Sequence, residues 1–201
     1  MVHWIISLCF LFVLHLEHFI SGVSVILNIV KLCCDSIILL VVDLKFLADG
    51  MLGKLARWLR ILGHDVTYFP SVDDKNLITL AQSESRILLT RDQELAQQAI
   101  NKGLNTFFVK GTDNGEILAD LANYFGFTLE VELSVSRCPK CNMPIRLVSK
   151  ESVLQEIPEL TALNYNDFWK CIGCGQIYWQ GGHWKLIKKT LEEAKLRVKT
   201  R

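Results

Sequence analysis

Between residues 44 and 126, short apolar runs alternate with stretches of helical spacing. The run L-K-F-L-A predicts a first strand ending at Asp49. Met51, Leu52, Leu55, Trp58, Leu59 and Leu62 then fall on one face of a helix, with Lys54, Arg57 and Arg60 opposite. Gly63 stands where a left-handed residue closes a helix. V-T-Y-F is a second strand, and Asp73 or Asp74 can cap a helix carrying Leu77, Ile78 and Ala81. R-I-L-L-T is a third strand running into Arg91 and Asp92, followed by a helix with Leu95, Ala96 and Ala99 that Gly103 closes. T-F-F-V is a fourth strand, and a helix over 116–125 ends at Gly126. Strand alternating with helix at this pitch predicts an α/β fold, a parallel sheet covered by helices.

The first 44 residues differ. They are apolar, carry a net charge of −2 and lack a regular period. Uncharged runs over 1–16, 18–30 and 36–42 are interrupted by Glu17, Lys31, Asp35 and Asp43. Each run alone is shorter than the ~20 residues a spanning helix needs. The start M-V-H gives no basic n-region, and no clear small-residue cleavage site follows. Three readings stand: a membrane-associated segment, an upstream extension outside the working protein, or an extra buried element. The extension is favoured, because an ordered domain starts afresh at Lys45. Cytoplasmic location is expected, with membrane association if the segment acts as an anchor.

Composition narrows the classes. In 201 residues, half are hydrophobic and 21% charged, which excludes a disordered chain. Seven cysteines are too few for a disulfide-stapled miniprotein. Residues 45–201 carry a net +3. No G-x-G-x-x-G follows the first strand and no G-x-x-x-x-G-K-[ST] is present, which argues against dinucleotide and P-loop sites.

Ligands of an open parallel sheet bind beyond the carboxyl ends of its strands. Asp49, Asp92 and Asp113 follow the first, third and fourth strands, and Asp73 and Asp74 follow the second. Converging carboxylates repel, and a hard cation such as Mg²⁺ or Mn²⁺ relieves that repulsion. Such ions can activate water and stabilise the leaving oxygen of a phosphodiester. The alternative for each acid is a helix cap or a turn starter. Lys54, Arg57, Arg60 and Arg91 flank the same edge and are candidates for phosphate contacts, against the plainer reading of a solvated helix face.

Cys138-Pro-Lys-Cys141 and Cys171-Ile-Gly-Cys174 form two C-x-x-C pairs. Four thiolates so paired suit tetrahedral zinc, and a site closed by four ligands is structural rather than catalytic. The long segment between the pairs must hold structure of its own. Disulfides or a redox C-x-x-C would need an oxidising or thioredoxin-like context, which is not evident. Tyr178, Trp179 and Trp184 either stack on bases or build the core of a small zinc module. Residues 185–201 carry seven basic side chains and two acids, with Leu186, Leu191 and Ala194 as the apolar face of an amphipathic helix.

The blocks K-F-L-A-D-G-M-L-G-K-L-A-R-W-L-R-I-L-G-H-D, D-D-K-N-L, R-I-L-L-T-R-D-Q-E-L-A and C-G-Q-I-Y-W-Q-G-G-H-W together resemble the Mut-seven C-terminal RNase domain family over about Lys45 to Leu191. The resemblance implies a PIN-like nuclease domain over 45–134, followed by a zinc ribbon with a basic helix over 135–201. It implies a metal-dependent ribonuclease with Asp49, Asp74 (Asp73 as understudy), Asp92 and Asp113 as the catalytic acids. Asp49, Asp74 and Asp92 would hold Mg²⁺ or Mn²⁺, and RNA would be the partner. The alternative is a non-catalytic RNA-binding zinc-ribbon protein. A membrane-tethered version of either is a third reading.

Overall fold

A computed structural model describes residues 44–198. The readings made of Met1–Asp43 lie outside the described residues. No helix among the described residues is long and apolar enough to cross a membrane.

Four parallel strands form the first sheet: β1 (Lys45–Ala48), β2 (Asp65–Tyr68), β3 (Ile87–Thr90) and β4 (Thr106–Phe108), in the order β2-β1-β3-β4. Helices α1 (Gly53–Ile61), α2 (Asp74–Ser83), α3 (Gln93–Asn101) and α4 (Asn114–Phe125) follow the successive strands. The two central strands are buried on both faces, and alternation divides their side chains. Phe46, Ala48 and Leu89 pack with α1 and α4 residues such as Leu55, Leu59, Leu118 and Leu121. Leu47 and Leu88 pack on the other side with Leu77, Ile78, Leu95 and Ala99 of α2 and α3. The α/β class expected from the periodicity is therefore the architecture found.

Helix α1 is shorter than its periodicity suggests. Residues Gly50–Leu52 form a 3₁₀ turn, which leaves Met51 73% exposed rather than on the apolar face. The close fit behind this turn explains its two glycines. A Cβ on Gly50 would stand 2.8 Å from the carbonyl oxygen of Pro70, and one on Gly53 would stand 2.6 Å from the hydroxyl of Tyr68. Gly126 closes α4 at φ 76°, the left-handed conformation that glycine takes without strain.

The second sheet is antiparallel: β5 (Ile145–Val148), β6 (Phe168–Cys171) and β7 (Ile177–Tyr178), in that order. A 3₁₀ turn over Lys150–Val153 and a short helix α5 (Glu159–Asn164) occupy the loop between β5 and β6. Val153, Ile157, Phe168 and Ile177 give this part its own small core.

The last helix, α6 (Gly182–Arg197), belongs to the first sheet's core. Leu191 and Ala194 are buried beside Leu118, Leu121 and Ala122, with Ile187 and Val198 packed against them. Leu186, expected on the apolar face, is 60% exposed. Five residues separate it from Leu191, a turn and a half of helix, so the two cannot share a face. Helix α6, which follows the second sheet in the chain, thus packs back on α4 of the first.

Candidate active edge and four-cysteine centre

Strand order reverses between β1 and β3, because β2 lies on one side of β1 while β3 and β4 extend the other. In such sheets the crevice forms where the order reverses, at the carboxyl ends of the strands. Asp49 leaves β1 at this point, and Thr90, Arg91 and Asp92 lie at the end of β3.

Asp49 is 4% exposed. Its Oδ1 accepts from the Met51 N–H at 2.8 Å, capping the 3₁₀ turn. Its Oδ2 accepts from the Arg91 N–H at 3.1 Å and from the Thr90 hydroxyl. Thr90, wholly buried, in turn accepts from the Asp92 N–H at 2.9 Å. A single buried carboxylate thereby fixes the turn after β1 and the turn after β3 to each other. No local pattern points to Thr90; its only sequence signal is a polar residue closing an apolar strand beside R-D.

The other acids act as caps. Asp92 is exposed, and its Oδ1 accepts from the Glu94 and Leu95 N–H groups at 2.8 and 3.0 Å. Asp73, rather than Asp74, caps α2 by accepting from Asn76, and Asp74 sits exposed in the first turn. Asp113 caps α4 through Glu116 at 3.0 Å and pairs with Arg197 of α6 at 2.8 Å. The hydrogen bond from Glu116 first, and the Arg197 contacts next, hold the Asp113 carboxyl below its ordinary range.

Among the described residues, no three of these carboxylates gather into a cation-sized group. Both Asp49 oxygens are engaged by protein donors. Of the three acids expected to hold Mg²⁺ or Mn²⁺, Asp49 is buried and bonded to protein donors, while Asp74 and Asp92 are exposed.

The four basic candidates separate. Lys54 and Arg57 are exposed on α1. Arg91 is exposed, and its guanidinium donates to the Gly111 carbonyl at 2.7 Å. Arg60 departs from the expectation of a phosphate-binding surface, being only 6% exposed. It shares a helix face with the fully buried Ala56, four residues earlier. Its guanidinium donates to the carbonyl of Val66 on β2, at 3.0 and 2.7 Å, and to that of Pro139 at 3.0 Å. Burial lowers its pKa, although the nearby Cys138 and Cys141 sulfurs and Asp65 oppose that shift.

The cysteine pairs occupy two matching turns. The Cys138 N–H donates to Met143 and its carbonyl accepts from Asn142, at 2.8 and 2.9 Å. The Cys171 N–H donates to Gln176 and its carbonyl accepts from Gly175, at 2.9 and 3.1 Å. Asn142 and Gly175 hold equivalent places, with φ 69° and 72°. Asparagine and glycine are among the residues that visit this left-handed region most readily.

The four sulfurs lie within 4.8 Å of one another, and none forms a disulfide. The Tyr178 hydroxyl lies 2.9 Å from the Cys138 sulfur. Burial pushes the Cys141 thiol up to about 12. Burial would also raise Cys171, but the Cys174 and Gly173 N–H groups bring it down to about 7. The donor set fits a zinc ion: four soft ligands at close quarters, one already biased towards thiolate, and no open position.

This centre is anchored to the first sheet. The Asn142 side-chain oxygen accepts from the Val66 N–H at 3.0 Å, and its amide donates to Asp65 at 2.6 Å. The Ser136 hydroxyl donates to the Ile61 carbonyl at 2.7 Å. Arg60 and Asn142 thereby satisfy both backbone groups of Val66 on the outer edge of β2. An edge strand left open would invite pairing with another chain.

The sequence model described as Mut7-C RNAse domain matches residues 44–191. None of the curated proteins and none of the solved structures gives a significant match to the chain.

Proposed function

The chain belongs to the Mut7-C RNAse domain family, and on that premise we propose that it hydrolyses RNA phosphodiester bonds at the β1/β3 edge, within a PIN-like domain stabilised by a zinc ribbon. The observation that carries this reading is the link from buried Asp49 through Thr90 to the backbone of exposed Asp92, at the point where strand order reverses. Asp49 fixes the edge from within. Asp92, exposed beside it, is the acid best placed to meet substrate. Arg57, Lys54 and Arg91 supply positive charge nearby for phosphates. Asp74 and Asp113 lie at the ends of neighbouring strands and are the further candidates. The four-cysteine centre holds the fold and takes no part in the chemistry.

The test is cleavage of single-stranded and structured RNA by the purified chain, with Mg²⁺, with Mn²⁺ and with a chelator. Asparagine caps a helix as well as aspartate does, so Asp92→Asn should stay folded. Its cleavage should fall by at least ~100-fold, the scale of losing one transition-state charge contact. Asp49→Asn should also abolish cleavage, with a loss of stability, because its amide nitrogen cannot accept and so leaves either Met51 or Thr90 and Arg91 without their acceptor. Undiminished cleavage by Asp92→Asn would move the site elsewhere. RNA binding without cleavage under any metal condition would favour the non-catalytic RNA-binding reading. Metal-supported activity that the chelator removes would establish the Mg²⁺ or Mn²⁺ dependence expected of the family.

A further inference from the structure

We infer that the aromatic cavity between the four-cysteine centre and the start of α6 is a subsite for one unstacked base of a single-stranded RNA. The inference rests on the ribonuclease reading for the identity of the polymer.

The cavity measures about 490 Å³, within the range of ligand pockets, roughly 300–1,000 Å³. Trp169, Tyr178, Trp179 and Trp184 line it. Trp169 and Tyr178 pack against the cysteine cluster and Trp179 against the neighbouring small core, yet all four residues keep some exposure. The Trp184 Nε1 is also the only buried side-chain nitrogen or oxygen without a partner among the described residues. A buried donor left unpaired is costly and calls for an explanation. Base edges carry acceptors suited to such a donor, and base faces stack on aromatic rings whatever the sequence.

A second cavity, of about 510 Å³, adjoins the first, and Pro139, Gln176 and Tyr178 line both. It is bordered by Gly53, Arg57, Tyr68 and Lys140. Arg57 and Lys140 are exposed cations, and Gly53 and Tyr68 lie beside the turn that Asp49 caps. The two cavities together run from beside the Asp49-capped turn, past exposed cations, to an aromatic pocket. That order matches a strand whose phosphates follow the cations while one base turns inward. A duplex keeps its bases stacked and cannot offer one, so the groove selects single strands.

The probe is a fluorescein-labelled 2′-O-methyl oligouridylate that resists hydrolysis, bound to the full chain. One abasic nucleotide is moved along it position by position. A single position should cost about tenfold in affinity, the scale of losing one base–aromatic stack. In Trp184→Leu, checked for folding and zinc content, that positional penalty should vanish while overall affinity falls by a similar factor. A blunt-ended duplex of the same length should bind at least tenfold more weakly. An even abasic profile with the unaltered protein would overturn the subsite even if Trp184→Leu failed to fold, and so would a folded Trp184→Leu that binds normally. Failure of the ribonuclease reading looks different: a position-dependent abasic penalty with no cleavage of ordinary RNA keeps the subsite and removes the catalysis. Cleavage with an even profile does the reverse.

Discussion

Arg60 reaches 79 residues along the chain to the carbonyl oxygen of Pro139, at 3.0 Å, while its other nitrogens hold Val66. One buried guanidinium thus joins α1, the edge strand β2 and the first cysteine turn. Arg60→Ala would strand these carbonyls in a buried setting. Hydrogen bonds to charged groups are worth about 1.5–3 kcal/mol, so urea unfolding should show a loss of roughly 3 kcal/mol. Arg57→Ala, on the exposed face of the same helix, should stay within about 0.5 kcal/mol. Equal losses for the two would contradict the structural role of Arg60.

Asp65 gives a pH dependence with a defined sign. Burial would raise its pKa, but hydrogen bonds from Arg86 and Asn142, with the Arg86 charge, outweigh that and hold it below its ordinary 3.8. A carboxyl depressed in the folded state stabilises fully above its unfolded value, and that stabilisation disappears as pH falls through the folded value. Asp65→Asn should therefore weaken the protein at pH 7 and flatten its loss of stability below about pH 4. Urea unfolding from pH 3 to 7 checks this; parallel curves for the two proteins would count against it.

Elemental analysis of the reduced protein should find one zinc per chain, and Cys171→Ser should release it. Structural zinc contributes on the order of 10 kcal/mol in small modules, so the β5–β7 segment should lose its fold. The parallel sheet has its own core and should survive. Its β2 edge should loosen, however, since Asn142 no longer caps Val66. Hydrogen exchange at the Val66 amide should accelerate in Cys171→Ser while exchange at Leu88 in the central strand stays slow.

Gly50→Ala sets the general preference for alanine against a local contact. The new Cβ would stand 2.8 Å from the Pro70 carbonyl oxygen, and backbone cannot swing aside as a side-chain tip can. Overpacking of this kind costs typically 1–3 kcal/mol. A stability equal to wild type in thermal unfolding would show that the 50–53 turn has room to move.

Much of the parallel sheet is legible in the sequence because its signals are local. Apolar runs mark β1 to β4, and an acid after each strand marks a helix start. Asp49, Asp73, Asp92 and Asp113 serve as caps, which is legible because a cap needs only N–H groups two or three residues ahead, whereas convergence on a cation depends on the packing of distant turns. Arg60 reads as exposed because its partners, Pro139 and Val66, lie on other elements. Asn142 gives no signal at all, since its place follows from a backbone turn that repeats at Gly175. The sequence misplaces Leu186 on the apolar face of α6 because it does not reveal that α4 covers the helix, which selects Ile187, Leu191, Ala194 and Val198.

Leu191 and Ala194 complete a core whose other walls, β1, α1 and α4, come many residues earlier in the chain. During synthesis the ribosome therefore releases the sheet with one side of α4 bare. That apolar surface stays open to chaperones, or to a second nascent chain, until the intervening cysteine turns and then α6 have emerged. The unfinished sheet can aggregate during that interval.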